Sequence, residues 1–220
     1  MSGTLTVYGE GRGFRVVWLL EEIGIPYRLR QVDLLAGVEK DTEFLAINPA
    51  GFIPALQDGD LVMVESIAIM QYLLARHGPT PLAPSPDDPA FGAYLQFLHM
   101  GEAGLAGPIN AIVATNILAP EAGRKNWTTG WALEAFESRL GLVRRQLAGT
   151  PYIAGDRFTA ADISVTYALE FAQRTIGFAF GAAELDYIAR TTARDGYRRA
   201  MDNCPATKAW VATLAGLAAI

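Results

Sequence analysis

The sequence predicts a two-part chain, an α/β domain built on a mixed sheet followed by an all-helical domain. Three observations carry that prediction. The apolar segments between residues 4 and 77 read in the order β-α-β-α-β-β-α. Five prolines (Pro79, Pro81, Pro84, Pro86 and Pro89) then crowd into one short stretch, which neither a helix interior nor a central strand accommodates. From Ala90 onward the strand signals fade and the apolar spacing turns helical. The expected domains are therefore 1–80 and 90–220, joined by a proline-rich linker over 81–89.

The elements follow in order. Thr4-Leu5-Thr6-Val7-Tyr8 is short and rich in β-formers, a buried strand. Gly9-Glu10-Gly11-Arg12-Gly13 is a glycine-rich loop, and the helix after it carries Phe14, Val17, Trp18 and Leu20 at helical spacing until Gly24 stops it. Tyr27 to Asp33 is a second strand, and Glu39 to Ile47 a short helix ended by Asn48-Pro49. Asp58-Gly59 joins Ala55-Leu56-Gln57 to Leu61–Val64 as a hairpin, and a helix runs from Ser66 to His77. Beyond the linker, helices are expected over 90–104, 127–147, 160–173 and 206–217. Thr159 and Asp162 form a capping-box start for the third of these. Trp127, Trp131 and Trp210 are expected in the core.

Composition narrows the function. Hydrophobic residues make up 51% and charged residues 19%, an ordinary globular balance. A net charge of −5 without a Lys/Arg-rich run argues against nucleic acid. One cysteine, Cys204, and two histidines, His77 and His99, leave no Cys- or His-rich metal site and no internal disulfide. The start Met1-Ser2-Gly3-Thr4 lacks the basic and apolar regions of a secretory signal. The uncharged run from Ala103 to Pro120 is broken by glycine, asparagine and proline, a poor membrane span. A cytosolic protein with no membrane partner is the default expectation. The glycine loop lacks the endings of a phosphate-binding loop or a dinucleotide site, so nucleotide binding carries little weight.

The stretch Asn48-Pro49-Ala50-Gly51-Phe52-Ile53-Pro54-Ala55-Leu56 organises the rest. Proline pushes Ile53 to extended backbone, and an X-Pro bond in so tight a turn is a candidate cis peptide. An extended Ile53 can pair with a peptide beside it. Glu65 suits an ammonium, and the helix start at Ser66 suits a carboxylate. Together they would hold a zwitterionic amino-acid head. Ile53-Pro54 and Glu65-Ser66, in this order and spacing, resemble the cis-proline turn and the γ-glutamyl-binding pair of the cytosolic glutathione transferase family, of bacterial type. The β-α-β-α-β-β-α order is similar to that family's thioredoxin-like first domain, and the cap at Thr159 and Asp162 is very similar to the one before its buried core helix.

The resemblance implies a glutathione transferase fold: a thioredoxin-like α/β N-terminal domain and an all-α C-terminal domain. It implies glutathione as co-substrate, contacted by Gly11, Phe52, Ile53, Pro54, Glu65 and Ser66. It also implies a small apolar electrophile bound between the domains, a homodimer using the helix from Ser66 and the helices after Ala90, and a role in detoxification. Lys40 is a candidate for the glycyl carboxylate, and Gln96, His99 and Met100 for an acceptor pocket. A thiol with a pKa of about 8.5 is only a few per cent ionised at neutral pH, so the enzyme must stabilise the thiolate. The loop holds no Ser, Thr or Cys, unlike the classes that use them. The catalytic candidates are Arg12 with its loop amides and Tyr8, and Arg12 is preferred because a fixed positive charge and a helix N-terminus both favour an anion. Rival readings are a glutathione-dependent lyase, dehalogenase or peroxidase, and a non-catalytic binding module.

Overall fold

The computed structural model describes residues 4–33, 37–124, 126–207 and 209. The strands are β1 (Leu5–Tyr8), β2 (Tyr27–Arg30), β3 (Ala55–Asp58) and β4 (Leu61–Val64). The helices are α1 (Phe14–Ile23), α2 (Thr42–Ile47), α3 (Ser66–Arg76), α4 (Phe91–Met100), α5 (Gly107–Val113), α6 (Trp127–Leu147), α7 (Ala160–Ile176), α8 (Ala182–Thr192) and α9 (Asp195–Asn203). They form two compact units, one drawn from Met1–Thr80 and Arg194–Trp210, the other from Pro81–Ala193. The predicted architecture, α/β first and helical second, is the one observed.

In the first unit the sheet order is β2-β1-β3-β4, with β1 parallel to β2 and antiparallel to β3. The hairpin pairs Asp58 with Leu61, so its two-residue turn is Gly59-Asp60. Seven consecutive residues of α1, Phe14 to Leu20, are buried. A helix buried over so long a run needs cover on more than one side, and α1 packs against α3 and also against α9. The sequence reading placed everything from residue 90 onward in the helical domain, and α9 departs from it. The departure has a local cause. The Arg194 guanidinium binds both oxygens of Glu22 at 2.8 and 2.7 Å, and the Tyr197 ring meets Trp18 and Phe14 edge-on at 4.9 and 5.5 Å. A Cβ on Gly196 would stand 2.6 Å from the Glu22 carboxyl, so a larger residue there would displace the side chain that Arg194 binds.

The second unit is built around α7, where twelve residues are buried. It packs against α4, α5, α8 and the π-helical turns Gly101–Ala106 that join α4 to α5. Gly101 crosses Ser164 so closely that a Cβ would lie 2.2 Å from its Oγ. The capping box forms as expected, and Asp162 does more than cap. Its carboxylate accepts the N–H groups of Ile153 and Thr159 at 2.8 Å each, the Thr159 hydroxyl at 3.1 Å and the Tyr187 hydroxyl at 3.0 Å. Burial nonetheless pushes its pKa up to about 6.

Helix α6 has the predicted bounds, but its tryptophans do not have the predicted place. Trp127 and Trp131 are 79% and 53% exposed and stack on each other. One turn apart, they share the outward face, while Ala132, Phe136, Leu140 and Val143 form the buried one. Trp210 and most of the helix expected over 206–217 lie outside the described residues. Among the described residues no helix is long and apolar enough to cross a membrane, and no cluster of His, Cys, Asp and Glu could hold a metal ion.

Candidate functional site

Three segments of the first unit meet at one turn. Where the chain leaves α2, the buried side chain of Asn48 braces the residues that follow. Its Nδ2 donates to the Phe52 carbonyl at 2.7 Å, and its Oδ1 accepts the Ala50 N–H at 3.2 Å. The braced turn delivers Ile53 and Pro54, joined by a cis peptide bond, to the start of β3. Phe52 is exposed, Ile53 half-buried and Pro54 buried. Sequence reasoning placed Asn48 at the helix stop and at the head of this stretch, without a role for its side chain.

The glycine loop lies directly against this turn. A Cβ on Gly9 would stand 2.3 Å from Ile53 Cγ2, and one on Gly13 would stand 3.3 Å from Pro54 Cβ. Gly9 also has φ 81°, a conformation side chains rarely adopt. Gly9 and Gly13 thus provide clearance for Ile53 and Pro54, while a Cβ on Gly11 would meet Ile53 only at an ordinary 3.6 Å and its φ of 58° is what favours glycine there. Gly11 and Arg12 lie in the single 3-10 turn Gly11–Gly13, which runs straight into α1. Arg12 is therefore carried at the head of that helix, beside the Ile53-Pro54 turn.

Across the hairpin Ala55 pairs with Val64, so the register sets Pro54 next to Glu65. Glu65 precedes α3 with φ 71° and is, among the described residues, the one non-glycine at positive φ. That conformation costs on the order of 1–3 kcal/mol, and such strain collects at ligand-binding positions. Its side chain is exposed, while Ser66 is buried. Ser66 Oγ accepts a hydrogen bond from Arg15 Nη1 at 3.1 Å. Arg15 is fully buried and was not among the sequence candidates. The signal was present: an arginine inside the apolar run Phe14 to Leu20 must find a buried polar partner.

Tyr8 is packed in the core beside the turn, in a cluster against which Ile53 itself packs. Its hydroxyl donates to Gln57 Oε1 at 2.8 Å, and its ring stacks on Phe44 in a cluster with Val32 and Ala55. Tyr8 is thus buried, with its hydroxyl proton engaged by Gln57. Lys40 is exposed in the 3-10 turn Val38–Lys40. Val38 of that turn comes within 3.3 Å of where a Gly51 Cβ would be, so Lys40 is borne beside the Asn48–Phe52 turn. In the second unit, Gln96 and His99 are exposed on α4 and Met100 is half-buried.

The arrangement has a definite chemistry. The half-buried Ile53, just ahead of β3, lies where a peptide could run beside the chain. The first-turn N–H groups of α3 have no helical carbonyl to bond and favour an anion, while the Glu65 carboxylate favours a cation. Arg12 adds positive charge at the glycine loop. A peptide with an α-amino-carboxylate end and an ionisable thiol matches these groups.

Comparisons with known proteins identify the family and the fold. Residues 3–75 match the family model described as glutathione S-transferase, N-terminal domain, and residues 74–213 match the model for its C-terminal domain. Glutathione S-transferase 3 of Zea mays is 34% identical over 157 residues, 67% of this chain and 68% of its own. Glutathione S-transferase 1 of Triticum aestivum is 28% identical over 206 residues, 89% of this chain and 81% of its own. Among solved structures, a theta class glutathione S-transferase from Xanthomonas axonopodis pv. citri, determined with glutathione bound, superposes with a TM-score of 0.75 at 26% identity. The match covers 91% of this chain and 97% of that one.

Proposed function

The chain belongs to the glutathione S-transferase family, and from that premise we propose that it is a glutathione transferase that binds glutathione in its first unit and directs the thiolate at a small apolar electrophile. The thiol gives its proton to solvent, the sulfur forms a bond to the electrophilic carbon, and the leaving group departs with its electron pair. Ile53 would pair with the cysteinyl backbone beside Phe52 and Pro54. Glu65 and Ser66 would hold the γ-glutamyl ammonium and carboxylate, and Lys40 the glycyl carboxylate. Gly11 would let the sulfur approach, with Arg12 favouring its anion.

The observation that carries this reading is the packing of the glycine loop on Ile53 and Pro54, with Glu65 set beside Pro54 by the hairpin register. It supports the reading because a backbone that would pair with a peptide, a carboxylate suited to an ammonium and a cation would then share one place. The strained Glu65 adds support, since the same carboxylate in an ordinary conformation would avoid the cost. We further propose a homodimer through α3 and the helices after Ala90, together with a cytoplasmic location and a role in detoxification. Support for an interface comes from edge strand β4, where the apolar Leu61 and Val62, on opposite faces of the sheet, are 42% and 37% exposed.

Calorimetric titration with glutathione, followed by turnover of an aryl halide, tests the function. Micromolar binding with turnover is expected, and Glu65→Ala should lose about 1.5–3 kcal/mol of binding, since its partner is charged. Binding without turnover would indicate a non-catalytic module, and Glu65→Ala with unchanged affinity would place the anchor elsewhere. Solution mass at micromolar concentration decides the dimer.

A further inference from the structure

Glu10 sits in the middle of the glycine loop, yet it is 3% exposed. Its carboxylate is committed to a distant part of the same unit. Oε1 accepts the Ala206 N–H at 3.1 Å and Oε2 the Thr207 N–H, while the Gln31 side-chain amide donates to Oε1 as well. Ala206 and Thr207 lie in the helical turn that opens at Pro205. The first N–H groups of a helix lack carbonyl partners and attract negative charge, so Glu10 serves that turn as a cap supplied from nearly two hundred residues away. The backbone carbonyl of Glu10 meanwhile accepts the Gly13 N–H at 2.9 Å, closing the turn that carries Arg12. Glu10 therefore touches both the C-terminal segment and the Gly11–Gly13 turn. Its flanking residues, Gly9 and Gly11, have no side chains with which to anchor the loop themselves.

We propose that Glu10 is a positioning residue: docking of Pro205–Thr207 onto its carboxylate fixes the Arg12 turn against Ile53 and thereby governs ionisation of the glutathione thiol. The inference rests on the assignment of that thiol to the Arg12 turn. It makes a prediction of sign. Were Glu10 only a nearby negative charge, its removal would make the thiolate easier to form and lower the thiol's pKa. Loss of positioning acts the other way, because the cation and the loop amides no longer meet the sulfur in register.

The test uses the full chain. Thiolate absorbance of bound glutathione is titrated in the wild type and in Glu10→Gln, with affinity for S-methylglutathione as the measure of the peptide anchors. The expected result for Glu10→Gln is a thiol pKa raised by about one unit and kcat/KM lower on the order of tenfold, with S-methylglutathione affinity unchanged. Hydrogen exchange in the wild type supplies a readout that needs no variant. By reciprocity, glutathione binding should slow exchange at the Ala206 and Thr207 amides. An equal or lowered thiol pKa in Glu10→Gln, or exchange at those two amides indifferent to glutathione, overturns the clamp. Should the wild type bind no glutathione at all, the functional assignment itself fails, a result distinct from either of those.

Discussion

Replacing Gly9 with alanine tests whether close approach between the glycine loop and the Ile53-Pro54 turn sets the binding site. Two costs are expected at Gly9. Its φ of 81° is unfavourable for any L side chain, at about 1–2 kcal/mol. The added methyl would also stand 2.3 Å from Ile53 Cγ2 and 2.6 Å from Ile53 Cβ. Cβ is fixed to the backbone, so a rotamer change of Ile53 cannot relieve the second contact and the turn itself must shift. Overpacking of this kind costs about 1–3 kcal/mol. Gly24 provides the control: it has φ 70° and nothing within 4 Å of its Cβ position, so it incurs the conformational cost alone. Urea unfolding should therefore show Gly9→Ala less stable than Gly24→Ala by about 1–3 kcal/mol. Glutathione titration should show weakened binding in Gly9→Ala only. Equal losses of stability with equal, wild-type affinities would mean that the loop and turn accommodate each other freely, and the packing argument for the site would be wrong.

Two further outcomes are expected. Thiolate absorbance of bound glutathione across pH should shift upward in Arg12→Ala and not in Tyr8→Phe, whose hydroxyl is engaged with Gln57; the reverse pattern would make this a tyrosine-type enzyme. Asp162, pushed up to about 6 from an ordinary 3.8, holds its proton in the folded chain over a window where the unfolded chain has released it. Its contribution to stability is therefore fully present below pH 3.8 and falls as pH rises to 6, by about 3 kcal/mol in all. The wild-type minus Asp162→Asn difference in urea unfolding should decline over that window. A difference that grows with pH would show that the four hydrogen bonds outweigh burial.

Much of this was legible in the sequence because local chemistry and tertiary outcome coincide there. Asp58-Gly59 signalled the hairpin, whose turn the register sets one residue later at Gly59-Asp60, the proline-rich stretch contains the break between units, and Ile53-Pro54 with Glu65-Ser66 identified the family from a few residues. What escaped depends on distant contacts. Trp127 and Trp131 are large and apolar, and nothing local says that Ala132 and Phe136 take the inward face of α6 instead. Arg15 was hidden in a run that reads as apolar, since its meaning comes from Ser66, 51 residues on. Tyr8 occupies a position where a catalytic phenol is conceivable, and only its bond to Gln57 gives the side chain a direction. The glycines of the loop invited a ligand-based explanation, whereas Ile53 and Pro54 account sterically for Gly9 and Gly13, and a positive φ accounts for Gly11.

The return of α9 to the first unit has a consequence for biosynthesis. When Thr80 leaves the ribosome, Trp18 and Phe14 still lack the Tyr197 ring and Glu22 still lacks Arg194, because about 120 residues separate Thr80 from the end of α9. At about 5–20 residues per second that interval is on the order of 6–25 s. During it the nascent α/β segment carries an apolar helix face without its final cover, while the intervening helices are being made. The α/β segment, made before α9, is thus finished only after it, and its exposure to chaperones and proteases is set by translation speed.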